Sequence, residues 1–123
     1  MSLTPAQFKE FEAEGFLVVD DLLSPSEVDE LKEHTEQIAD GHLPFPQEFL
    51  EWEPGTANEN RCMMTLRKIN SCANHDPFFV DHAAKPAILD VIESLLGPDI
   101  KLFGDQAFIK PPGGTEKTYH QDS

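Results

Sequence analysis

The residues best suited to chemistry stand at the end of the chain, in Tyr119-His120-Gln121-Asp122. In an extended segment, residues two apart point to the same side, so His120 and Asp122 offer an imidazole nitrogen and a carboxylate oxygen side by side. That pair is two thirds of the two-histidine, one-carboxylate facial triad of non-haem Fe(II) sites, which leaves positions open for a cosubstrate and O2. Taken alone, a His-X-Asp tripeptide equally describes a solvated surface loop. A second grouping, Cys62, Cys72, His75 and His82, has the donor types of a zinc site. Its spacings match none of the usual ligand pairs, and two buried reduced thiols with two surface histidines is the simpler reading.

The elements that must position these groups announce themselves mainly through their starts. Thr4, Pro5 and Gln7 form a capping box with proline at the first helical position, and Leu3 with Phe8 can staple it. Gly15 is a fitting stop. The run Phe16-Leu17-Val18-Val19 predicts a short buried strand, closed by Asp20-Asp21. Ser24, Pro25 and Glu27 repeat the start signal. They open a helix whose apolar face is Val28, Leu31, Thr35 and Ile38, with Gly41 beyond its end.

Residues 42–60 hold Pro44, Pro46, Pro54 and Gly55 among scattered aromatics, with no sustained period, and read as a long loop packed back on the domain and covering a site. Residues 63–69 predict a strand. Asp76-Pro77 opens a short helix to about Ala84, and a more apolar helix runs over 86–96 before Gly97. A strand is expected over 100–109. Pro111-Pro112-Gly113-Gly114 then gives a rigid turn followed by a flexible one, leading to His120. The chain thus divides into an acidic helical layer (1–41), a loop (42–60) and a part of helices and strands ending at the His-X-Asp tripeptide (61–123), all in one α+β domain.

Composition narrows the partners. Twenty-three acids against nine bases leave a formal charge of -14, which argues against nucleic acid as a ligand. The charge is uneven: the first sixty residues carry fifteen acids and two bases, the rest eight and seven. The acids of 27–36 interleave with an apolar helical stripe, so solvated helix faces are preferred to an acidic docking patch. No apolar run approaches the roughly 18 residues of a membrane span, and the first residues lack the character of a secretory signal. A soluble, cytoplasmic protein is the expectation.

Read together, several segments resemble the phytanoyl-CoA dioxygenase family of Fe(II)- and 2-oxoglutarate-dependent hydroxylases. They are Leu3-Thr4-Pro5-Ala6-Gln7, Glu14-Gly15-Phe16-Leu17-Val18-Val19 and Leu22-Leu23-Ser24-Pro25-Ser26-Glu27-Val28, then Lys68-Ile69-Asn70 and Asn74-His75-Asp76-Pro77-Phe78. Leu96-Gly97-Pro98-Asp99-Ile100, Gln106 and Ile109-Lys110-Pro111-Pro112-Gly113-Gly114 follow, ahead of His120-Gln121-Asp122. The resemblance implies helices packed on the first strands of a double-stranded β-helix, or jelly roll. It implies His120 and Asp122 as iron ligands, Lys68 reaching 2-oxoglutarate, and Gln106 facing cosubstrate or substrate, with Thr118 and Tyr119 lining the pocket. Lys68 equally fits an ordinary exposed lysine, and Gln106 a plain strand-surface residue.

The family continues past the aspartate, through strands carrying a distal histidine ligand and a basic anchor for 2-oxoglutarate. His34, His42, His75 and His82 all precede the tripeptide and do not replace that histidine. The chain is therefore expected to be an N-terminal fragment, inactive by itself. A rival expectation is a non-catalytic interaction module with an acidic helical surface.

Overall fold

The computed structural model describes residues 2–121 of the 123-residue chain. Helix α1 (Pro5–Glu14) starts at Thr4, whose hydroxyl accepts from the Gln7 amide while the Gln7 side chain accepts from the Thr4 amide. Gly15, in the left-handed conformation, closes it, as the sequence predicts. Helix α2 (Pro25–Ala39) begins with the same device, Ser24 against Glu27. Its inner face buries Thr35, Ile38 and Ala39.

Between these helices the expected strand over 16–19 does not form. The segment joins no strand ladder among the described residues, and Phe16 and Val18 lie exposed. Apolar, β-branched composition suits a pleated surface, but a strand exists only where a neighbour offers a ladder.

The stretch read as a loop contains structure. Two 3₁₀ turns, Gln47–Phe49 and Asn58–Asn60, flank strand β1 (Leu50–Trp52). Strand β2 (Leu66–Asn70) starts three residues later than expected, and β3 (Gln106–Phe108) is only the end of the strand predicted over 100–109. They form an antiparallel sheet in the order β1-β2-β3.

Leu50, Ile69 and Ala107 align across the sheet on the face toward α2, while Glu51, Lys68 and Phe108 align on the other. The register slips between Glu51 and Trp52, which pair with Lys68 and Leu66, leaving Arg67 as an extra residue on β2. This bulge returns Leu66 to the core side with Trp52 and leaves Arg67 and Lys68, neighbours in sequence, outside the core.

After β2, Ser71 takes a left-handed conformation and starts helix α3 (Cys72–His75), which the sequence did not announce. Asp105 holds this corner from across the sheet: its carbonyl accepts from the Ser71 amide and its carboxylate from that of Ala73. Helix α4 (Pro77–Ala83) is capped by Asp76, and α5 (Pro86–Leu96) follows. The core joins Ile38, Phe45, Leu50, Leu66, Ile69, Cys72 and Phe79 between α2, the sheet and α3–α4.

Two polar links fasten α2 to the later helices. His34 Nε2 lies 2.6 Å from the Asp76 carboxylate, with its ring stacked at 3.8 Å on Phe78. Lys85 donates to Glu27 at 2.7 Å. The described residues thus make an α+β arrangement, and none of their helices is long and apolar enough to cross a membrane.

Candidate functional site

The outer face of the sheet carries most of the groups that could bind a small anion. Lys68, on the central strand, has 14% of its side chain exposed, so it is not the solvated lysine its composition allowed. Its ammonium lies 3.7 Å from Glu51 Oε1 and 4.9 Å from the centre of the Phe108 ring. Both partners are its cross-strand neighbours. Asn70, two residues along and on the same face, donates to Glu51 Oε1 at 3.0 Å. Gln106 pairs with Asn70 and so shares this face; its side chain is exposed. Lys68 and Gln106 are therefore brought to one surface.

The segment leading to His120 crosses the same surface. Lys117 lies 3.7 Å from Glu51 Oε2 and 5.4 Å from the Phe108 ring, so two ammonium groups flank one ring and one carboxylate. Arg67 donates to the Glu116 carbonyl at 3.0 Å, and the Thr115 amide donates to Glu53 at 3.0 Å.

The hydrogen bond from Asn70, and after it the charges of Lys68 and Lys117, hold Glu51 below the usual carboxylate range against the opposing effect of burial. Hydrogen bonds from Thr115 do the same for Glu53. Between strand and segment lies a groove of about 430 Å³ lined by Arg67, Phe108, Lys110, Lys117 and Tyr119, among others. Three bases against one acid, Glu116, with two aromatic rings, suit it to an anion with an apolar part.

His120 is exposed, and its Nδ1 stands 3.2 Å from the Thr118 carbonyl. A proton held on Nδ1 by that carbonyl leaves Nε2 in the form that ligates a metal. Asp122 lies outside the described residues. Among those residues, no three His, Cys, Asp or Glu side chains gather where they could hold a metal ion. The four zinc-type side chains form no such group. Cys72 is buried with its thiol against the Ile69 carbonyl, His75 packs on Phe49, and His82 sits on α4. Burial, with the charge of Asp105 second, pushes the Cys72 thiol up to about 11.

The residues that the sequence reading passed over are Glu51, Glu53, Arg67 and Lys117. The signal for the first two was present: Leu50-Glu51-Trp52-Glu53 alternates apolar and acidic, the pattern of a half-buried strand inside a stretch read as loop. Arg67 and Lys117 find their partners only through the fold.

A family model described as Phytanoyl-CoA dioxygenase (PhyH) matches residues 11–123. No curated protein and no solved structure matches the chain.

Proposed function

Because this chain belongs to the phytanoyl-CoA dioxygenase family, we propose that it forms part of the active site of an Fe(II)- and 2-oxoglutarate-dependent dioxygenase. The enzyme would hydroxylate an aliphatic C–H of a small organic or acyl substrate. Membership supports oxygenase chemistry in general. The observation that carries the residue roles is that Lys68, Gln106 and the segment ending at His120 share one sheet face.

When bound, the iron supplies the oxidation in which 2-oxoglutarate and O2 become succinate and CO2 and one oxygen atom enters the substrate C–H bond. His120, with the Thr118 carbonyl keeping its imidazole in the ligating tautomer, and Asp122 would hold that iron. Lys68 presents a mostly covered ammonium to a cosubstrate carboxylate, and the Gln106 amide donates to the same ligand. Glu51 is the resident counter-ion of Lys68 and Lys117, and it keeps the two cations oriented until an anion arrives. Phe108 and Tyr119 offer apolar surface to the substrate. A third metal ligand and a basic anchor for 2-oxoglutarate would come from sequence following Ser123. The domain they complete is a jelly roll.

The test is Fe(II)-dependent succinate release from 2-oxoglutarate by the protein extended past Ser123. His120→Ala and Asp122→Ala should each lower turnover by more than about 100-fold. Lys68→Ala should weaken 2-oxoglutarate binding by about tenfold, as expected for one charge-assisted hydrogen bond. Turnover that survives the loss of either ligand would refute the assignment.

A further inference from the structure

We propose that Glu51 of β1 and Glu53 just past its end form a clasp that holds residues 114–117 against the sheet and so aims the segment bearing His120 at the Lys68 face. This builds on the metal site proposed above and adds the positioning residues for it.

Glu51 lies on β1 and Glu53 one residue past its end, and both carboxylates meet the crossing segment. Three successive residues of the crossing segment are each tied down: the Thr115 amide to Oε2 of Glu53 just past β1, the Glu116 carbonyl to Arg67 of β2, and the Lys117 ammonium to Oε2 of Glu51 on β1. Asn70 and Lys68 fix the other oxygen of Glu51. The fit at Glu53 is close. A Cβ built on Gly114 would stand 2.9 Å from the Pro111 carbonyl oxygen and 3.1 Å from Glu53 Oε1. Gly113 before it has φ +73°, a conformation glycine adopts without strain, so the turn delivering the segment to Glu53 needs both glycines.

Reach shows what the clasp does. Before it, the last backbone tie to the sheet is the Ile109 amide on the Arg67 carbonyl. From Ile109 an extended chain could carry His120 roughly 36–40 Å, whereas from Lys117 it can carry it only about 10–11 Å. The volume open to His120 thereby falls more than tenfold, and a metal ligand held near its cosubstrate cation has less freedom to lose on binding.

The experiment uses the 15N-labelled 123-residue chain, with Mn(II) as a paramagnetic probe. Glu53→Ala and Gly114→Ala should speed amide exchange at Thr115 by about tenfold or more while leaving exchange at Leu66 and Ile69 unchanged. The Mn(II) concentration that broadens the His120 ring resonances should rise about tenfold in both variants. Glu53→Gln, which keeps an acceptor for the Thr115 amide, should restore most of both properties.

Unchanged Thr115 exchange in the two disrupting variants would overturn the clasp. Faster exchange with an unmoved Mn(II) midpoint would overturn its positioning role. A wild-type His120 that ignores Mn(II) would instead count against the metal site and remove the aiming role with it, and Thr115 exchange would then decide the holding role by itself.

Discussion

The helices at the start of the chain and the segment at its end are both secured by hydrogen bonds between side chain and backbone, but over different lengths of sequence. Thr4 and Ser24 reach three residues ahead. Arg67 and Glu53 reach forty-nine and sixty-two. The first region carries its own instructions, while the second takes shape only once the sheet exists to receive it. Local capping builds the support, and long-range polar ties lay the final segment on it.

Removing the element the two regions share gives the largest test of this contrast. Leu66 is fully buried on β2, and Leu66→Ala should cost about 2–5 kcal/mol, read as a lowered urea midpoint. Thr115 protection should vanish before helical ellipticity does. If the two are lost together at every denaturant concentration, the regions are one cooperative unit and the contrast fails.

A smaller effect is expected at the start of α2, where Ser24→Ala should cost about 0.5–2 kcal/mol. Exchange should quicken at Glu27, whose amide the Ser24 hydroxyl accepts, and stay unchanged at Thr115 under native conditions. Quickening at Thr115 would mean that the cap is not local in its effect.

The subtlest test is the acid response of Glu27. Its hydrogen bond from Lys85 first, and those from Ser24 next, lower it from 4.5 to about 2. A carboxylate depressed on folding contributes stability above its unfolded value and loses it as pH falls through the folded one. The advantage of the native chain over Glu27→Gln should therefore be complete above pH 4.5 and fade toward pH 2. Parallel acid-unfolding curves for the two proteins would contradict this.

The same division explains what could be read beforehand. Helix starts were legible because Thr4 with Gln7, Ser24 with Glu27 and Asp76 with Pro77 state their chemistry within four residues. Residues 16–19 had the composition of a strand, yet nothing in four residues says whether a partner strand will lie beside them. On β2 the bulge at Arg67 buries Leu66 and Ile69, three apart, and so hides the alternation that identifies a strand. The shortness of β3 reflects the corner at Asp105, which turns to cap α3 before the ladder begins.

Among the candidate groups, Lys68 and Gln106 came from family resemblance, whereas His120 stood out first through its spacing to Asp122. Glu51 had a local signal in the alternation of residues 50–53, but Arg67 and Lys117 had none, because their partners lie far along the chain.

The buried thiol of Cys72 has a practical consequence. Only a thiolate attacks alkylating reagents and oxidants readily, and a group held near 11 is almost wholly protonated at neutral pH as well as out of reach. Half-buried Cys62 is then the position that takes a label while the fold is closed. Cys72 reacts only in the moments when the core opens, so its rate of modification is a built-in clock for how often β2 and α3 come apart.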